Sequence, residues 1–202
     1  MNSENLSFSK IGEKVLLHCC CAPCSASILE CVRSEGKAVT IFFFNPNIHP
    51  KKEYERRKQE LVRLATEWNI PFFDADYSAE EWFQKTKGME EEPERGKRCE
   101  CCFLLRLKKT AEYAKKNGFF AFSTSLSASR WKDKEQIRRS GEKASEEYDI
   151  LFWNRDWRKG GLSERGQKIS QEKQFYRQQY CGCIYSLRDT NRWRKEKGFP
   201  PV

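Results

Sequence analysis

The 202-residue sequence has no hydrophobic run long enough to cross a membrane or to act as a secretion signal. Ahead of its first cysteines the only apolar run is Val15-Leu16-Leu17. That shortage predicts a cytoplasmic protein without a membrane partner, in a compartment where thiols stay reduced. There is no internal repeat and no low-complexity linker, so nothing suggests a repeat array or a tethered module. A glycine-rich phosphate cradle is also missing, which argues against nucleotide hydrolysis. The length suits one domain, or one domain with an appended segment, and it can bury a core without help.

Against these absences stand ten cysteines. A chain of this size does not need disulfides for stability, so clustered cysteines in a reducing setting read as metal-binding or catalytic. Charge is also uneven. From Arg155 onward twelve Lys/Arg face five Asp/Glu, whereas the preceding part is close to balanced at 26 and 24. The basic tail contains Trp157, Phe175, Tyr176, Tyr180, Tyr185 and Trp193. Such interleaving suits phosphate contact with base stacking, and it equally suits a solvated basic face whose rings point into the core.

The order of elements alternates. Val15–His18 reads as a strand, followed by a cysteine-rich turn and a helix over Ser25–Glu35 with Ser25 as its cap. Val39–Phe44 is a β-branched and aromatic run suited to a strand buried on both faces. Asn45-Pro-Asn-Ile-His-Pro50 delays the next helix until Lys51, and Ile70–Phe73 is a third short strand. Glu80–Lys87 and Phe103–Lys116 read as helices around a charged loop, Met89–Arg98. Phe119–Thr124 and Ile150–Trp153 read as strands flanking a helix over Lys134–Tyr148. Repeated βα units predict an α/β, doubly wound, mostly parallel sheet of Rossmann type. Residues 1–154 would form that domain, and residues 155–202 a basic, mainly helical segment packed on it. Loops following the first, second and fourth strands should meet in one crevice.

Nine cysteines fall in three groups: Cys19-Cys20-Cys21-Ala-Pro-Cys24, Cys99-Glu-Cys101-Cys102 and Cys181-Gly-Cys183. Cys31 lies apart in a helix and reads as a packing thiol. The Cys99-x-x-Cys102 spacing puts both sulfurs on one side of a tight turn and alone could mark zinc. Two more thiol-rich segments exceed what one zinc site needs and favour an iron–sulfur cluster bridged between the first and middle groups. Gly182 lets sulfurs two residues apart approach, so Cys181 and Cys183 read as a labile redox pair, or as extra ligands.

Taken together, His18-Cys-Cys-Cys-Ala-Pro-Cys-Ser25, Phe44-Asn-Pro-Asn-Ile-His-Pro50 with Glu53-Tyr54, Arg98-Cys-Glu-Cys-Cys102 with Arg106-Leu107, Ser123-Thr-Ser-Leu126, and Tyr176-Arg-Gln-Gln-Tyr-Cys-Gly-Cys183 with Ser186 resemble the QueH family of cobalamin-independent epoxyqueuosine reductases. The resemblance implies the nucleotide α-hydrolase-like branch of Rossmann folds. It implies a [4Fe–4S] cluster on Cys20, Cys21, Cys99 and Cys102, a redox-active pair at Cys181 and Cys183, and room for a second iron or other metal ion. The substrate implied is tRNA bearing epoxyqueuosine at the wobble position. Electrons would come from a reductase or a ferredoxin-like protein.

Removing an epoxide oxygen needs two electrons and two protons, and a general acid for the leaving oxygen. Candidates are Tyr180, Asp133, His49 and Lys159, each with an ordinary alternative: His49 bonded to a turn, Asp133 capping a helix, Tyr180 filling a pocket. Phosphate contacts are expected from Arg155, Arg158, Lys159, Arg177 and Arg188, and base stacking from Trp157 and Tyr180. Two other functions compete. An ATP-dependent tRNA thiolase would need a Ser-Gly-Gly-x-Asp-Ser loop where Cys19–Cys24 stands. A zinc-stabilised RNA-binding module would leave Cys181-Gly-Cys183 without a purpose.

Overall fold

The computed structural model describes residues 13–75 and 77–202. Five strands, β1 (Lys14–His18), β2 (Ala38–Phe43), β3 (Phe72–Asp74), β4 (Ala121–Thr124) and β5 (Leu151–Phe152), form one sheet in the order β3-β2-β1-β4-β5. Every pairing is parallel, with Val15 opposite both Val39 and Ala121. The protein is therefore an α/β, doubly wound sheet of Rossmann type. The strand order reverses between β1 and β4, and the crevice at that switch point is where this topology binds ligands.

The helices are α1 (Ala22–Ser34), α2 (Lys51–Glu67), α3 (Ala79–Thr86), α4 (Lys97–Lys116), α5 (Lys134–Tyr148), α6 (Leu162–Glu172) and α7 (Ile184–Glu196). The pleat sends alternate β1 side chains to opposite faces. Val15 and Leu17 pack with Ile28 and Leu29 of α1, Leu61 and Leu64 of α2, and Ile169 of α6. Leu16 packs on the other side with Leu107 and Ala111 of α4 and Ile137 and Ala144 of α5. Each fully buried Leu or Ile contributes about 1.5–3 kcal/mol. Both faces are covered, which explains why Ile41, Phe42 and Phe43 of β2 are all apolar and buried rather than alternating. Beyond β5, Trp157, Ile169 and Phe175 enter the core on the α1 side.

Two helices start earlier than their sequence patterns predict. Helix α1 begins at Ala22, with Pro23 in its first turn, and Ser25 is not its cap. The Ser25 hydroxyl donates to the Cys21 carbonyl from inside the helix (2.8 Å). Helix α4 begins at Lys97, so Cys99, Cys101 and Cys102 lie in its opening turns rather than in a loop. Glu92 accepts from the Lys97 amide, and Gln136 of α5 donates to the Arg95 carbonyl, fixing this start.

Candidate active site

The sheet's C-terminal edge gathers the three cysteine groups. The Cys20 amide donates to Ser125 Oγ beyond β4, joining the two loops across the switch point. Asn45, after β2, donates to the Cys19 carbonyl (2.9 Å). His18 spans the same edge: its Nδ1 meets Thr124 Oγ1 and its Nε2 meets the Phe44 carbonyl. Burial first, and then Arg106, lowers the His18 pKa to about 4, so the ring is neutral.

Because α1 starts at Ala22, its first turn carries Cys24 back beside the two residues preceding the helix. The sulfurs of Cys20, Cys21 and Cys24 lie within 4.8 Å of one another and form a group able to hold a metal ion. Hydrogen bonds from Cys21 and Cys24 hold the Cys20 thiol well below its ordinary pKa. Sharing with Cys20 pushes Cys21 up and Cys24 up to about 12. Sequence reasoning left Cys24 unassigned; its spacing of three from Cys21, read as one helical turn, is the signal that finds it.

Cys99 packs against the buried group containing Cys20 and Cys21, while Cys102 packs with Cys183 and Trp82. The middle segment thus lies beside the Cys181-Gly-Cys183 segment. Burial, and then proximity to Cys181, raises Cys99 to about 12. Burial also raises Cys102, against the pull of Arg106, and raises Cys183 with help from Cys181. Cys24, Cys99 and Cys181 line one cavity of about 850 Å³, along with Lys132 and Arg177. All ten cysteines are free thiols.

Cations surround these sulfurs. Burial works against the Arg57 guanidinium, but Cys21, Glu53 and Cys20 together raise its pKa. Burial likewise opposes the Lys132 ammonium, and Cys181, Cys20 and Cys24 outweigh it. Neither residue stands in a recognisable motif, because only the fold brings them to the thiols. Arg57 also clamps the Cys181-Gly-Cys183 segment, donating to the carbonyls of Cys181 (3.0 Å) and Tyr180 (3.2 Å). The His49 amide donates to the Gly182 carbonyl (2.8 Å). Gly182 has φ +131°, and a Cβ there would meet Arg57 Nη1 at 3.1 Å. The glycine is required both by its conformation and by the close approach of α2.

Other candidates take structural places. Asp133 caps α5, its carboxylate accepting from the amides of Glu135 and Gln136. The Tyr180 hydroxyl donates to the His49 carbonyl and is buried. His49 Nδ1 bonds the Tyr77 hydroxyl, and burial lowers its pKa to about 4. Trp157 corrects an expectation: it is 1% exposed, with its indole N–H on Ser123 Oγ, and offers no face to a base. Arg155 pairs with Glu35, Arg158 with Asp156, and Arg188 with Glu91 and Asp189. Lys159 and Arg177 are exposed and form no ion pair among the described residues. Cys31 donates to Glu35 away from the site.

Comparison with known proteins follows the same lines. The family described as epoxyqueuosine reductase QueH matches residues 15–189. Proteins named epoxyqueuosine reductase QueH from Histophilus somni and Haemophilus influenzae are 54% and 52% identical to the chain. The alignments cover 92% and 96% of this chain and 76% and 80% of theirs. The one from Thermotoga maritima is 38% identical, over 91% of this chain and 93% of its own. Among solved structures, a chain described as a predicted subunit of tRNA methyltransferase from Methanocaldococcus jannaschii superposes with a TM-score of 0.56. It covers 94% of this chain and 90% of its own at 11% identity, a likeness of fold.

Proposed function

The chain belongs to the epoxyqueuosine reductase QueH family, and from that premise we propose that it reduces the epoxide of epoxyqueuosine at the tRNA wobble position, giving queuosine and water. It is an oxidoreductase of queuosine biosynthesis. The observation that supports the chemistry is the meeting of three cysteine groups around one cavity.

The donor set fits an iron–sulfur cluster. Cys20, Cys21 and Cys24 form an all-thiol group, Cys99 packs on the apolar cluster that contains Cys20 and Cys21, and the cations Arg57 and Lys132 near these sulfurs offset the negative charge that bound thiolates would bring. Cys20, Cys21, Cys99 and Cys102 would hold a [4Fe–4S] cluster, with Cys24 left as a neighbouring donor for a second iron or other metal ion. Such a cluster supplies electrons one at a time.

The Cys181/Cys183 pair supplies them two at a time. Both thiols give up a proton and an electron and close a disulfide, while both C–O bonds of the epoxide break and its oxygen leaves as water. The clamps from Arg57 and His49 hold this segment by its backbone, so it stays in place whichever state the sulfurs are in. Lys132, among Cys181, Cys20 and Cys24, is the cation positioned to meet negative charge on the departing oxygen. A reductase or ferredoxin-like protein of the cytoplasm restores the thiols. No helix of the described residues is long and apolar enough to cross a membrane.

The test is turnover of epoxyqueuosine in tRNA by anaerobically purified protein with a chemical reductant. Loss of one oxygen from the modified nucleoside, read by mass spectrometry after digestion, is the expected result. A colourless protein with stoichiometric zinc and no product would overturn the proposal. Cys181→Ser should keep its iron and lose multiple turnover; full turnover in that variant refutes the role of the pair. Iron content in Cys24→Ser and Cys102→Ser decides the ligand set, and loss only in Cys24→Ser would replace Cys102.

A further inference from the structure

A tryptophan left in solvent forfeits more burial energy than any other side chain, so its surroundings deserve an explanation. Trp131 is 66% exposed on the loop between β4 and α5. Several other exposed aromatic rings stack on aromatic neighbours: Trp193 on Phe199, Phe83 on His49, and Phe73 on Phe42. Trp131 meets no aromatic ring among the described residues. Its ring contact is with Arg130, whose guanidinium carbon lies 4.8 Å from the ring centroid.

The loop is nevertheless tied down. Arg95 donates to the Trp131 carbonyl (3.1 Å) and to the Arg130 carbonyl (3.4 Å). The Trp131 amide donates to Ser129 Oγ, and Asp133 caps the helix that follows. The indole is therefore presented by an ordered backbone, which lowers the entropy lost when something binds it. Trp131 also lines the cavity that holds Cys24, Cys99 and Cys181. The charges lining that cavity are Arg95, Arg130, Lys132, Arg158 and Arg177 against Glu94 alone. Such an excess disfavours an acidic protein segment less than it disfavours a basic one, but an exposed flat ring set among cations is the pattern of a single-stranded nucleic-acid platform.

We propose that Trp131, flanked by Arg130 and Arg95, is the platform on which a nucleobase next to the modified nucleotide stacks while that nucleotide occupies the cavity. This rests on RNA being the substrate, as proposed above. A nucleotide drawn into the cavity leaves its neighbour with an uncovered face, and the indole replaces the lost stacking partner. The guanidinium groups beside it meet the phosphates that link the two nucleotides. Trp157, buried in the core, cannot take this part.

The test uses iron-loaded protein with dithionite as reductant. Wild type, Trp131→Ala and Trp131→Phe are compared in KM and kcat on epoxyqueuosine-containing tRNA. Their Kd for an anticodon stem-loop lacking the modification is measured alongside. Stacking on one base predicts roughly a 5- to 150-fold rise in Kd and KM for Trp131→Ala, with the loss in affinity and not in kcat. Trp131→Phe should recover most of it, and fluorescence quenching by the stem-loop should be weaker in Trp131→Ala than in wild type. Unchanged Kd and KM would overturn the proposal, as would a defect seen only when a protein donor replaces dithionite, since the face would then dock the donor. Wild-type turnover is scored separately, so active wild type with a silent Trp131→Ala sinks the platform and spares the proposed function.

Discussion

At the scale of single residues, the two histidines show what burial does to titration. His18 and His49 are both buried, and both are lowered from 6.5 to about 4. A folded pKa below the unfolded one means that the unfolded chain binds more protons between those values. Stability from these groups is therefore complete above pH 6.5 and is lost as pH falls toward 4. Each contributes a slope of up to about 1.4 kcal/mol per pH unit, or about 3 kcal/mol over the window. Urea unfolding of metal-free protein at stepped pH should show this decline. His49→Gln should make the decline shallower between pH 6.5 and 4, and an unaltered slope would show that His49 is not neutral when buried. Neither histidine announces this in the sequence, because neutrality comes from the strands and rings packed around each ring.

At the scale of elements, helix α5 is set by its cap and by one close approach. Asp133 accepts from two amides of the first turn. Asp133→Ala should cost about 1 kcal/mol and Asp133→Asn only a few tenths, measured by chemical denaturation. Farther along, a Cβ at Gly141 would lie 2.1 Å from the Phe152 ring of β5. Gly141→Ala should therefore destabilise the protein by about 1–3 kcal/mol through overpacking, although Ala is the better helix former. A thermal midpoint at or above wild type would contradict that contact. The span of α5 is legible from its apolar spacing and its Asp cap. The start of α4 is not: Gly96 and the acidic residues before it read as loop, and it takes Glu92 and Gln136 to order that turn.

At the scale of the whole molecule, the surplus of positive charge becomes selective once its pairs are drawn. Arg155, Arg158 and Arg188 are each held by carboxylates, whereas Arg177 is exposed beside the cavity without an ion pair among the described residues. Neutralising a phosphate releases counterions, so tRNA binding should weaken with salt along a straight log–log line. Arg177→Ala should shallow that slope by about one, while Arg155→Ala should change it less. A slope unchanged in Arg177→Ala would remove that residue from the RNA contact.

The βα alternation, the parallel doubly wound class and the three cysteine groups can all be read along the chain. Those properties live in short windows: apolar periodicity, turn residues and spacing along the chain. The sequence also carried the family resemblance, which depends on motifs and not on coordinates. Tertiary structure decided which thiols meet. Cys24 joins Cys20 and Cys21 because α1 begins three residues early, and Cys99 and Cys102 of α4 both come near Cys181. It also brought Arg57 and Lys132 to the sulfurs, buried Trp157 and left Trp131 in solvent. Burial and charge pairing join residues far apart in the chain, and no local pattern records which of six tryptophans will lose its water.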